Sequence, residues 1–313
     1  MSSLASESSL PVLHRLWIYQ SERFPVARTA LLVAVFASSS VNVSAHLGHR
    51  ALPSWPSYAV AFLAVLIFFF QLRACDEIKD AEDDARYRPE RPIPRGLVQL
   101  RLIVGLAVAA VPLSALAVAA LDIRLLALLC AVWIWMGLMA CEFFAPTWLR
   151  ARPLAYLVSH MLVMPLMDLF VTGCEWLPAG AFPPGALALF LVLSFVNGTV
   201  LEIGRKIYAP PNERTGVETY SALLGPRAAT MIWLCVVALG FILLVAVGAV
   251  ERSPILVGSI GLAGLAACAA CALMFVQCMD DAGQKRLDTV SGLWVLVCYG
   301  AAGFAPVAQR IWA

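Results

Sequence analysis

Charge is what this sequence has least of. Only 13% of its 313 residues are Asp, Glu, Lys or Arg, against 61% apolar, where soluble domains carry roughly 25% and 45–50%. So few charges cannot coat a globular surface. They also exclude a disordered chain and a nucleic-acid binder, which needs a basic face. The nine cysteines are scattered without ligand spacing, and Cys268-x-x-Cys271 stands alone in an Ala/Gly-rich run. That pair reads as close helix packing, so neither a disulfide scaffold nor a zinc site is expected. A repeat of fixed period, a low-complexity segment, a phosphate-cradling Gly-rich loop and a Ser-His-Asp arrangement are all missing. The Ser-rich, acid-containing start lacks the basic and apolar regions of a signal peptide.

Long apolar runs are abundant instead. A bilayer core of ~30 Å needs about 20 apolar residues per helix, and nine windows qualify: 29–47, 57–74, 97–119, 122–141, 153–173, 184–203, 228–249, 254–276 and 289–308. The expected fold class is all-α: a polytopic membrane protein of nine transmembrane helices, with residues 29–313 as a single domain. The first window is the least apolar, because Ser38, Ser39, Ser40, Asn42 and Ser44 crowd it. Residues 1–28 form a separate N-terminal segment. Within it Leu13, Leu16 and Trp17 fall on one helical side, the pattern of a helix lying in the membrane interface.

Dividing the charges by side orients the chain. With nine spans, the N-terminal segment and the loops after spans 2, 4, 6 and 8 hold 18 of the 22 basic residues, and the opposite side holds 4. The positive-inside rule places the N-terminus and those loops in the cytoplasm, the inner or plasma membrane being the site in a bacterium. Sixteen of the 20 acids share that side, six of them between Asp76 and Asp84.

On a continuous helix Glu77, Asp80 and Asp84 lie within about 80° of one another, with Asp76 alongside. Like charges so stacked repel and call for a cation. Hard carboxylate oxygens suit Mg2+, which takes one or two of them and shares phosphate oxygens with a substrate. Arg86, Arg88, Arg91 and Arg95 follow, interrupted by Pro89, Pro92 and Pro94. Guanidinium forks match phosphate oxygens. Carboxylates for a metal beside arginines for phosphate compose a diphosphate site, where the plain alternative is a solvated loop paired with itself.

The run Asp76-Glu77-x-x-Asp80-x-x-x-Asp84, then Arg88-x-x-Arg91-Pro92 and Gly96, resembles the first Asp-rich motif of the UbiA superfamily of intramembrane prenyltransferases, and like it follows the second of nine spans. The resemblance implies a helical bundle around a central cavity roofed by cytoplasmic cap loops. It also implies Mg2+-dependent ionisation of a prenyl diphosphate, with Asp76, Glu77, Asp80 and Asp84 as metal ligands and Arg88 and Arg91 on the diphosphate. The acceptor so implied is aromatic or otherwise lipophilic. The second motif of that family, usually D-x-x-x-D after span 6, is represented by Glu202 with Arg205 and Lys206, followed by Gly216-x-x-Thr219. Lys206 stands where the second acid is expected. Glu202 and Lys206 are spaced to pair; alternatively Arg205 and Lys206 bind diphosphate directly beside a catalytic Glu202.

Four further residues are candidates for substrate contact. Arg150, with Arg152, is similar to the basic cap loop of the family. Asp168 is the one acid deep in a span, where charge costs ~2.5–3.5 kcal/mol on insertion scales and faces a cavity or a partner. His160, eight residues earlier, falls on a related face and completes a pair able to position or deprotonate an acceptor. Asn197 precedes Glu202 and is expected to line the same cavity, and Trp133, Trp135 and Phe195 are candidates to face a carbocation. The expected activity is prenyl transfer. Alternatives are a terpene synthase acting on the diphosphate alone and a non-enzymatic transporter; the latter would spread functional charge along several spans.

Overall fold

The structure, a computed structural model, describes residues 10–214 and 217–312, with side chains to residue 309. Thr215 and Gly216, the start of the expected Gly216-x-x-Thr219 turn, lie outside the described residues. Proline sets where many of the helices begin. It occupies the first or second position of α3 (Trp55–Lys79), α7 (Pro146–Arg150), α8 (Pro153–Met161), α12 (Pro226–Val250) and α13 (Pro254–Cys278). A missing N–H costs nothing there and φ is preset. The remaining helices are α1 (Val12–Arg23), α2 (Val26–Leu47), α4 (Ala81–Tyr87), α5 (Leu100–Leu121), α6 (Leu125–Ala140), α9 (Val163–Trp176), α10 (Leu187–Gly204), α11 (Tyr220–Leu224) and α14 (Asp281–Trp312). No strand occurs among the described residues.

Taking α8 and α9 as one span, eight helices are long and apolar enough to cross a bilayer, and the expected fourth span is the shorter, 16-residue α6. The chain is therefore a polytopic helical membrane protein. Two helices depart from the expected windows. The window 153–173 is two helices broken at Leu162, because Pro165 has no N–H for the Met161 carbonyl and its ring crowds that turn. The last helix starts at Asp281, eight residues before its window, since its charged first turns extend the helix beyond the apolar stretch.

The polar crowding of the first window has a structural cause. Helix α2 is an interior helix, and its hydroxyls face partners on α9: Ser40 Oγ donates to Asp168 at 2.6 Å and Ser44 Oγ to Glu175 at 2.7 Å. Asn42 Oδ1 accepts from Tyr58 at 2.7 Å, and its amide donates to the Gly303 carbonyl at 3.2 Å. Apolarity is low where a helix faces protein rather than lipid. At the α2–α14 crossing a Cβ on Gly303 would sit 2.4 Å from the Ser39 Cα. Gly303→Ala is expected to pry this crossing apart and destabilise the protein by about 1–3 kcal/mol, the usual range for overpacking, as read by unfolding in detergent.

Helix α1 forms where expected, with one difference of face. Trp17 and Leu13 are 69% and 81% exposed, whereas Leu16 turns inward with Tyr19 against Ala74, Leu97 and Ile103. Arg95 clamps α1 through both oxygens of Glu22, each at 2.8 Å. Helices α2, α3, α6, α8–α9, α10 and α14 surround a cavity of about 500 Å³.

Candidate active site

Helical spacing explains the cavity wall. Phe69, Leu72, Arg73, Asp76 and Lys79 share one stripe of α3, and Gly198, Leu201, Glu202 and Arg205 one stripe of α10, with Lys206 just beyond. Both helices run toward the same end, so the inner wall is apolar (Phe69, Met136, Met164, Gly198) and the rim is charged. Five cations, Arg23, Arg73, Lys79, Arg205 and Lys206, meet three carboxylates, Asp76, Glu202 and Asp288. Such an excess in a recess of low dielectric suits an anion.

The rim charges are already organised. Glu202 is paired with Arg205 and, at 2.8 Å, with Lys206. The i,i+4 pairing legible in the sequence is therefore real, and both cations remain on the wall. Lys79 Nζ lies 2.6 Å from Glu142 and donates to the Tyr156 hydroxyl at 2.7 Å. Glu142 reaches inward from a turn in which it, Phe143 and Phe144 all have φ between 46° and 56°. No glycine relieves that turn, and left-handed backbone costs roughly 1–2 kcal/mol per residue.

The first motif divides in two. Asp76 lines the cavity, with its nearest cation, Arg73, at 3.6 Å. The helix breaks at Asp80, where α3 ends and α4 begins, so the expected continuous carboxylate face does not form. Asp80 is outside the lining. Burial, then the Asp76 and Asp84 carboxylates, push its pKa above the usual range. Asp84 is buried and both its oxygens are taken, by Arg88 at 3.2 Å and Arg91 at 2.6 Å. Arg88 and Arg91 thus fold the cap loop around Asp84 and do not reach the cavity, while Gly96 closes that loop at φ 80°. Glu77 points to α1, accepting from Arg23 at 2.7 Å and Tyr19 at 3.4 Å.

The deeper candidates are also sorted. His160 lines the cavity, stacked on Tyr156 at 3.8 Å with Nδ1 2.9 Å from the Tyr156 carbonyl, and its Nε2 has no hydrogen-bond partner. Asp168 is away from the lining, accepting from Ser40 and, at 2.5 Å, from Tyr299. His160 and Asp168 therefore have separate surroundings, the one on the cavity wall and the other bonded to α2 and α14. Asn197 accepts from Trp294 at 3.2 Å, and its neighbour Gly198 is the residue on the wall. Trp133 and Trp135 donate to Gln71 and to the Ser159 carbonyl; the cavity aromatics are Phe24, Phe69 and Tyr156. Arg150 is solvent-exposed, 3.9 Å from Glu142, and Arg152 lies over Trp148. Among residues not singled out from sequence, Arg73 and Lys79 were legible by their three-residue spacing from Asp76. Tyr156, Glu142 and Arg23 carried no such signal.

No family model matches the sequence, and no curated protein matches it. The solved structure of digeranylgeranylglyceryl phosphate synthase, a protein studied in membranes, is similar with a TM-score of 0.64, covering 94% of this chain and 99% of that one at 12% identity. The chain therefore has the fold of that membrane synthase, a bundle of membrane-spanning helices of the kind the motif implies.

Proposed function

We propose that the protein is an intramembrane prenyltransferase, which binds a prenyl diphosphate with its charged end at the cytoplasmic rim and passes the prenyl group to an acceptor. One observation carries this reading: a cavity whose inner wall is apolar opens through a rim bearing Arg73, Lys79, Arg205 and Lys206 around Asp76. Its two ends match the two halves of a prenyl diphosphate, and the fold likeness to a membrane synthase agrees.

The chemistry follows from the residues. Breaking the bond between the prenyl C1 and oxygen leaves the electron pair on diphosphate, whose growing charge meets four cations already in place. Preorganised charge of this kind is the main source of catalysis by electrostatics. The allylic cation left behind faces the rings of Phe69 and Tyr156, which attract cations through their π faces. The acceptor forms its new bond to C1 and loses a proton. His160 Nε2 takes that proton, because Nδ1 donates to the Tyr156 carbonyl and leaves Nε2 as the basic nitrogen.

Mg2+ is part of the proposal. No three His, Cys, Asp or Glu side chains converge as a ready-made metal site among the described residues. Asp84 is committed to arginines, and Glu77 accepts from Arg23 and Tyr19. Asp76 and Asp80 make no short hydrogen bond, and two carboxylates are what Mg2+ takes when substrate phosphates complete its shell. These two would hold the ion, which supplies Lewis-acid charge at the phosphate oxygens. Purified protein in lipid nanodiscs, given farnesyl or geranylgeranyl diphosphate, Mg2+ and a pool of aromatic acceptors, is expected to release diphosphate and yield prenylated acceptor. A hydrocarbon or terpene alcohol formed without acceptor would make it a terpene synthase. Binding without turnover would refute the enzymatic reading.

A further inference from the structure

The cavity of about 500 Å³ ends on a closed floor, and its depth limits what can lie in it. On the helices that line it, Phe69 of α3, Met136 of α6, Met164 of α9 and Gly198 of α10 are the wall residues farthest from the charged rim. From Asp76 to Phe69 is about 10 Å, and from Tyr156 to Met164 at most about 12 Å, at 1.5 Å per helical residue. The next turn down each helix is packed. Val65, Phe68, Val132, Met167 and Ser194 are completely buried, and the Phe68 and Phe170 rings close edge to face at 5.5 Å. Resting on the reading above, we infer that the prenyl donor is short, of two or three isoprene units, and that Met164, seated against Gly198, sets this limit.

Three observations support this. First, the lengths match. An extended isoprene unit spans about 5 Å, four bonds of about 1.5 Å laid in a zigzag. With the diphosphate among Lys79, Arg205 and Lys206 and C1 level with Asp76, two units reach the floor extended and three reach it folded. The wall permits that folding. Met136, Met139, Met161 and Met164, four of the nine methionines of the chain, are unbranched side chains that reshape around what they touch. Second, the side of the cavity is packed below the rim. Beyond Thr29 on α2, Val33 and Phe36 are buried, and the Phe36 ring lies 4.8 Å from that of Tyr299 on α14. A fourth unit would leave at the level of Thr29 and Asp288, the charged end of the cavity, where an apolar tail gains nothing from burial. Third, Gly198 makes the seat of Met164. A Cβ at 198 would stand 2.8 Å from Met164 Cγ and 3.4 Å from Met161 Sδ, so bulk added there drives Met164 into the cavity.

The test measures binding by the full chain in nanodiscs with Mg2+, using the thiolodiphosphates of geraniol, farnesol and geranylgeraniol, whose C–S bond resists ionisation. The geranyl and farnesyl compounds are expected to bind within about threefold of each other, and the geranylgeranyl compound at least about tenfold more weakly, the usual penalty for methylenes that an apolar pocket cannot hold. Gly198→Val should weaken farnesyl binding relative to geranyl at least about tenfold. Met164→Ala should bring geranylgeranyl binding to within about threefold of farnesyl. The two variants act in opposite directions on ratios between donors, so either one decides if the other fails to fold. Geranylgeranyl binding as tight as farnesyl in the wild type overturns the short-donor assignment, and ratios unmoved by the variants overturn the role of Met164. Prenyl transfer with equal use of all three lengths sinks this inference and leaves the proposed function standing. Discrimination of length in binding, with no transfer to any acceptor, supports the limit and refutes the transferase.

Discussion

Asp76→Ala is expected to slow diphosphate release by about 10²–10³-fold, the loss seen when one preorganised electrostatic group is removed from an active site. Of the six carboxylates between Asp76 and Asp84, Asp76 is the one on the cavity wall. It sits among Arg73, Lys79 and Arg205 without a short hydrogen bond to any of them. Its charge is therefore available to a metal ion, which it would help to hold. Asp83, exposed on α4, is the control, and Asp83→Ala should leave the rate unchanged. Asp84→Ala should behave differently from both. It removes the anchor of Arg88 and Arg91, so its loss should appear as an unfolded cap, seen as faster proteolysis in that loop. Comparable rates for Asp76→Ala and the wild type would remove the metal from the proposal.

Glu175→Ala should destabilise the fold by about 3 kcal/mol, at the lower end of the range for breaking a buried ion pair. Arg50 meets both Glu175 oxygens at 2.6 Å, and Ser44 adds a third bond at 2.7 Å. Glu175 is 2% exposed, but Arg50 keeps 24% and recovers some hydration when its partner is lost. Arg50 and Glu175 lie at the end of α2 and α9 opposite the charged rim, so prenyl diphosphate binding at temperatures below unfolding should be unaffected. The double variant Arg50→Leu with Glu175→Leu should regain most of the loss, because it leaves no uncompensated charge. Denaturant unfolding followed by tryptophan fluorescence distinguishes these cases.

Eight of the nine expected spans were legible as helices long and apolar enough to cross a bilayer, because hydrocarbon thickness imposes a length and excludes charge; the fourth is shorter. Asp76, Arg205 and Lys206, singled out in the sequence as charges gathered at helix ends, do line the cavity. Asp80, Asp84 and Glu77 looked equivalent to Asp76, yet each has a different fate, decided by the break at Asp80 and by which arginine comes near. His160 and Asp168 share a sequence neighbourhood but not a site, because Ser40 and Tyr299, from helices distant in sequence, take Asp168.

The sequence by itself determined a helical membrane protein with its charge gathered on one side, since both follow from composition summed over windows of about 20 residues. Which charges meet was decided only by tertiary structure. Arg23 and Glu77 are 54 residues apart, and Ser40 and Asp168 are 128 apart. Within the membrane a polar side chain is satisfied by whichever helix packs against it, and nothing local to either residue names that helix.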